Sequence, residues 1–87
     1  MKIINKSIEV LCLTDEDGTI HPLKFKILKK DGEKQVYEVL RVVETEGLKL
    51  GGIKTKDYTC EIEVNDEKKI CVLRYDLDSC KWSLYQI

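Results

Sequence analysis

Apolar and polar residues alternate with a period of two along most of this chain, the pattern of strands that bury one face. Leu23, Phe25 and Ile27 are separated by Lys24 and Lys26. Tyr58, Cys60, Ile62 and Val64 are separated by Thr59, Glu61 and Glu63, and the alternation returns in Cys71, Leu73, Tyr75 and Leu77. Turn signals fall between these runs as in an all-β meander. Asp17-Gly18 closes a first strand over 8–14, and Asp31-Gly32 divides 20–29 from 34–45. Gly47 and Gly51-Gly52 break the middle, and Asn65 to Glu67 and Asp78-Ser79 punctuate the last third. Asp-Gly pairs tolerate the positive φ that tight hairpins demand.

Residues 33–46 carry two signals. Val36, Leu40 and Val43 fall at helical spacing, with Gly47 placed to end a helix. Against that, Val36, Tyr37, Val39, Val42, Val43 and Thr45 are β-branched or aromatic and follow a hairpin signal. The strand is the preferred reading. His21-Pro22 puts a proline near the start of the second strand, so an edge or a bulge is expected there.

The last third predicts its own register. A two-residue turn at Asp66-Glu67 sets Ile62 opposite Cys71 and Cys60 opposite Leu73. A second turn at Asp78-Ser79 sets Leu77 opposite Cys80, Tyr75 opposite Trp82 and Leu73 opposite Leu84. Both registers gather one common apolar face: Tyr58, Cys60, Ile62, Val64, Cys71, Leu73, Tyr75, Leu77, Cys80, Trp82 and Leu84. A one-residue slip would turn a whole strand inside out, so the agreement carries weight. Strands with one apolar face each must close or stack. The expected fold is therefore a single all-β domain over 1–87, a small barrel of five to six antiparallel strands, SH3-like in first place and OB-like as the alternative.

Composition narrows the function classes. The 87 residues suit one domain, since domains run from about 50 to 250 residues. Lys and Arg number 15 against 16 Asp and Glu, a net charge of −1, which is a poor match for a phosphate backbone. Residues 1–43 carry 8 basic and 7 acidic groups and residues 44–87 carry 7 and 9, so neither half is a charged tail. No apolar run approaches the ~18 residues of a transmembrane helix. The opening Met-Lys-Ile-Ile-Asn-Lys is interrupted by Lys6, Ser7 and Glu9 before any signal-like apolar stretch forms. A cytoplasmic location with no membrane partner is expected.

Cys12, Cys60, Cys71 and Cys80 stand 48, 11 and 9 residues apart, without the close pairs of a zinc site. The register separates Cys71 from Cys80 and makes Cys60 and Cys71 diagonal neighbours. Thiols filling the core of a reduced protein are the expectation, with no metal and no cofactor. No catalytic constellation is found. His21 lies across a turn from Asp15 to Asp17, Glu61 and Glu63 share a solvated face, and no serine stands in a nucleophile elbow. Gly47 to Thr55 approaches a phosphate-binding loop but has Ile53 where lysine is required.

Two features are left for binding. On the face opposite the common one, the predicted register gathers Ile70, Val72, Tyr85 and Ile87. Coverage by the N-terminal segment, with Ile3, Ile4, Ile8 and Val10, is the plainer expectation; a protein partner or a homodimer through this outer face is the functional one. The glycine-bearing stretch 47–56 reads as a loop that offers Lys49, Lys54 and Lys56 to an anion or partner. For nucleic acid, Tyr37 and Tyr85 are the stacking candidates and Lys24, Lys26 and Lys29 the basic ones.

The tail Leu73-Arg-Tyr-Asp-Leu-Asp-Ser-Cys-Lys-Trp-Ser-Leu-Tyr-Gln-Ile87, with Asp57-Tyr-Thr-Cys60 before it, resembles a family of short bacterial proteins of unassigned function. Those chains end in a C-K-W-x-L-Y-x-I segment after a β meander. The resemblance spans roughly the last 40 residues and implies a small β fold in a bacterial cytoplasm. It brings no catalytic residues. The expected function is a non-enzymatic binding or interaction module, with an RNA- or single-strand-binding barrel as the alternative.

Overall fold

The structure, a computed structural model, describes residues 1–87, of Leu50 only the backbone. Six strands follow one another: β1 (Ile3–Thr14), β2 (Ile20–Leu28), β3 (Lys34–Leu50), β4 (Ile53–Val64), β5 (Glu67–Asp76) and β6 (Trp82–Gln86). Each pairs antiparallel with its sequence neighbours, and β1 pairs with β6 to close a barrel. This is a six-stranded meander, without the Greek-key crossing of an OB fold, and the strand order assigns no SH3-like subtype.

The turns explain the register. Asp15–Thr19 and Lys29–Glu33 are built alike: a turn closed by the Gly18 or Gly32 amide, with that glycine at φ near 90°. Gly51-Gly52 makes the β3–β4 hairpin, both residues at positive φ. Between β4 and β5 the turn is Asn65-Asp66 rather than Asp66-Glu67, with φ of 51° and 64°. Asparagine tolerates the left-handed region better than glutamate, and that preference moves the turn by one residue. Cys60 therefore faces Cys71 and Tyr58 faces Leu73. The partner shifts by two, which leaves every side chain on its predicted face.

The β5–β6 connection spans Leu77 to Cys80, longer than the predicted pair but centred on it. Tyr75 still faces Trp82 and Leu73 still faces Leu84. Leu77 and Cys80 lie in this turn and are exposed, so they leave the predicted common face. Cys80 sits at φ 60°, and its amide bonds the Asp76 carbonyl at 2.9 Å.

Phe25, Tyr58, Cys60, Ile62, Cys71, Leu73 and Leu84 form the buried core. Of these, six belong to the predicted face and Phe25 to the β2 alternation. Ile8, Val10, Tyr75, Trp82 and Ile87 pack around them. Tyr58 and Tyr75 each stack against Trp82, with centroids 5.3 and 4.8 Å apart.

Bulges interrupt the ladders. Next to Pro22, Leu23 is the extra residue on β2 and is 46% exposed, so the predicted inward Leu23 turns out while Phe25 and Ile27 stay in. Leu40 and Val43 are extra residues on β3. They stretch the inward spacing from two to three, giving Val39, Val42 and Thr45 as partners of Ile62, Cys60 and Tyr58. The helical spacing of Val36, Leu40 and Val43 is thus carried by a bulged strand, and all three are exposed.

Cys80 holds a left-handed conformation that costs a side-chain-bearing residue of order 1 kcal/mol or more. We expect Cys80→Gly to raise the stability of the barrel by about 1 kcal/mol, read from urea unfolding followed by Trp82 fluorescence. An unchanged or lower midpoint would show that the Cys80 side chain compensates this backbone.

Candidate functional site

The pairing of β2 with β3 runs from Leu28↔Lys34 to Lys24↔Glu38 and stops there. Beyond that pair β2 follows β1, with Cys12 facing Pro22 and Thr14 facing Ile20. Among the described residues, β3 from 39 to 50 is aligned with β4 alone. Its other edge is therefore unpaired for 12 residues. In an antiparallel strand about half of the backbone N–H and C=O groups point to each side, so this edge presents a row of unmet donors and acceptors. The bend that opens it has a local cause. Pro22 has no N–H with which to extend a ladder, and the bulges at Leu23 and Leu40 stand on either side of the last pair.

The side chains along this edge are apolar in the middle and charged at the ends. Leu40 is 44% and Val43 47% exposed. Val42 faces buried Cys60 yet remains over one third exposed, so the barrel interior is thinly covered here. Arg41 and Glu44 stand on the outer face, where Arg41 lies 3.4 Å from Glu61. These residues were not singled out as a site by sequence reasoning. The signal was present in Leu40-Arg41-Val42-Val43, where alternation fails within a run rich in β-branched residues.

The predicted lysine loop is strand. Lys49, Lys54 and Lys56 belong to the arms of the β3–β4 hairpin, because Gly47 is an ordinary strand residue and only Gly51-Gly52 turns the chain. Lys49 faces Lys54, and Lys56 follows two residues on, so all three share the face that carries Tyr58. Lys56 Nζ stands 5.7 Å from the Tyr58 ring centre. None of the three has a carboxylate within 4.0 Å among the described residues.

The predicted outer apolar patch is mostly covered. Val72 is only 6% exposed, Tyr85 and Ile87 are half-buried, and Ile70 lies at the edge of exposure. A bulge between β5 and β6 is the reason. Val72 faces Gln86 instead of Tyr85, and Ile87 turns inward to pack on the core. The N-terminal segment does not lie over this face. It pairs edge-on with β6, buries Ile8 and Val10 against the core, and leaves Ile3 and Ile4 exposed. Tyr85 is covered by Arg74, whose guanidinium carbon sits 3.5 Å from the ring centre. Arg74 also donates two hydrogen bonds to Asp57, at 2.8 and 2.9 Å. A groove of about 340 Å³ adjoins this pair, lined by Asn5, Ser7, Thr55, Asp76 and Ser83 among others. The Thr55 hydroxyl is buried there with no partner among the described residues. The groove is shallow, and its one guanidinium is already engaged.

The remaining candidates lie on several strands and turns. His21 Nε2 lies 2.8 Å from Asp15 Oδ2 on the exposed first turn. Glu61 is half-buried between Arg41 and Lys68, whereas Glu63 is exposed. Tyr37 stacks on Phe25 at 5.4 Å, and Lys29 lies 3.9 Å from Asp31. Cys60 and Cys71 are fully buried and opposite each other; burial pushes both thiols up to about 12, and the Cys60 thiol donates to the Tyr58 carbonyl. Cys12 and Cys80 are exposed. No group of three His, Cys, Asp or Glu side chains among the described residues is placed to hold a metal ion. Among the described residues no helix is long and apolar enough to cross a membrane.

Comparison of the chain with protein-family models, with curated proteins and with solved structures finds no match.

Two solution measurements check this description. Alkylation by iodoacetamide at pH 8 should add two groups to the native protein, at Cys12 and Cys80, and four after denaturation, by mass spectrometry. A third adduct on the native protein would mean that the core opens. The Asp15 carboxyl, held down to about 2 by the Asp17 side chain, the His21 ring and the amides of Thr19 and Asp17, should titrate there in a carbon NMR series. Because its folded value lies below the unfolded one, its support for folding is present above about pH 4 and is lost as pH falls through 2. A midpoint near 4 would remove that linkage.

Proposed function

We propose that this protein is a non-enzymatic interaction module that takes up an extended polypeptide segment along the unpaired edge of β3. The observation that carries the reading is the end of the β2–β3 ladder at Lys24↔Glu38, with 12 further residues of β3 paired on one side only. Strand addition draws affinity from main-chain hydrogen bonds and selectivity from side chains that alternate beside the groove. Leu40, Val42 and Val43 supply exposed apolar surface where an added strand would lie. Of the devices that blunt such an edge, 39–48 carries two bulges and three charged residues but neither lysine nor proline. A cytoplasmic setting belongs to the same proposal and is supported by two buried thiols that face each other unbonded.

A second reading rests on Lys49, Lys54 and Lys56. Like charges directly opposite each other are destabilising in a sheet, so an unpaired lysine triad beside aromatic rings suits an anion such as single-stranded nucleic acid. The outer patch of Ile70, Val72, Tyr85 and Ile87 is the weaker protein surface, since most of it is covered.

The test is selection of 12-residue peptides from a random display library on the wild-type protein. The peptides recovered should lose binding when alternate backbone amides are N-methylated. They should bind at least about tenfold more weakly to Leu40→Lys/Val43→Lys, whose exposed positions leave the fold intact. Peptides indifferent to both changes would overturn strand addition. Binding of a mixed-sequence single strand that falls steeply between 50 and 200 mM salt and is abolished by Lys54→Glu would put the nucleic-acid reading first, on the order expected for several phosphate contacts.

A further inference from the structure

We infer that the strand added to β3 is β3 of a second copy of this chain, joined antiparallel about a twofold axis that passes between Val43 and Glu44. The inference rests on the proposal that the open edge pairs with strands, and it names the partner.

The bulges fix which side chains face which way. Arg41, Glu44 and Glu46 face outward opposite Glu61, Thr59 and Asp57, while Val42 and Thr45 face inward opposite Cys60 and Tyr58. Val43, the extra residue before Glu44, shares the outward side with it, as the two residues of a bulge oppose one partner. A symmetric antiparallel pair must match outward with outward and inward with inward, because opposite residues share a face of the sheet. With the axis between Val43 and Glu44, Arg41 falls opposite Glu46 of the second copy, Val42 opposite Thr45, and Val43 opposite Glu44. Every pair over 41–46 matches in face. The twofold repeats the Arg41–Glu46 contact, so each interface holds two opposite-charge pairs. Just outside them Leu40 meets Gly47, which has no side chain to conflict.

Moving the axis onto Val42 also matches faces, but it sets Arg41 against Val43 and Glu44 against Leu40. Centring on Thr45 opposes Glu44 to Glu46. Charge thus selects one register among those that the edge permits. Glu46 has no basic partner within 4.0 Å in the single chain among the described residues, and Arg41 reaches only Glu61, at 3.4 Å. The pairing would also run alongside Leu40, Val42 and Val43, all exposed on the single chain.

Sedimentation velocity over a concentration series, on the full chain, tests the inference with charge reversals. Wild type should dimerise; Arg41→Glu and Glu46→Arg should each weaken the dimer by about tenfold or more through repulsion across both pairs. The double variant Arg41→Glu/Glu46→Arg, in which the charges are exchanged, should regain most of the loss. Near-ultraviolet circular dichroism of Trp82 shows that each variant is folded. A wild type that stays monomeric to the highest concentration reached, or a dimer indifferent to the single reversals, overturns the inference. If that monomer still captures N-methylation-sensitive peptides, strand addition survives without self-pairing; if it captures none, both fall.

Discussion

A sheet of six strands can close on itself only if its strands bend sharply, and in this barrel the bends are made by inserted residues. Leu23 beside Pro22, Leu40 and Val43 on β3, and the β5–β6 bulge before Leu73 each add a residue that the partner strand does not match. Each raises local twist and swings the strand around the core. The core itself is small: Phe25, Tyr58, Ile62, Leu73 and Leu84 with two thiols. It is enclosed because the bends bring β1 against β6, and the ring of ladders then needs no second layer.

The same bends set the longest unpaired edge among the described residues. Where β2 turns with β1 and β3 turns with β4, the two strands part after Lys24 and Glu38. Closure of β1 on β6 is therefore obtained together with an unpaired edge on β3. The apolar residues of that edge are exposed because inserted residues cannot all reach the interior; Leu40 and Val43 are displaced by the geometry that lets Val39 and Val42 face the core strand. The proposed strand addition and the lysine triad both lie on the β3–β4 hairpin, whose β4 arm stays paired with β5 while its β3 arm has parted from β2.

Much of this was legible residue by residue. The alternation in 58–64 and 71–75, with the register that sets Leu84 opposite Leu73, placed six of the seven core residues, and the glycine and aspartate turns divided the strands. The register error at Asn65-Asp66 did no harm, since a shift of two preserves the faces. The patch at Ile70, Val72, Tyr85 and Ile87 is mostly covered, as the plainer expectation had it, but not by the N-terminal segment: strict alternation fails at Tyr85, where one inserted residue sends Ile87 inward. Likewise the glycine at 47 suggested a loop, although a glycine in an exposed strand is tolerated when its neighbours pair.

The sequence by itself determined the all-β class, the antiparallel meander, the turns to within a residue or two outside 47–56, and the inward faces of β4 and β5, because those depend on short-range alternation and on the φ preferences of Asn, Asp and Gly. Tertiary structure decided where the ladders stop, which residues are inserted, and hence which apolar side chains stay outside. Those outcomes follow from closing the sheet into a ring, a constraint on all six strands together. No single window of the chain, Leu40-Arg41-Val42-Val43 included, encodes whether its second edge will find a neighbour.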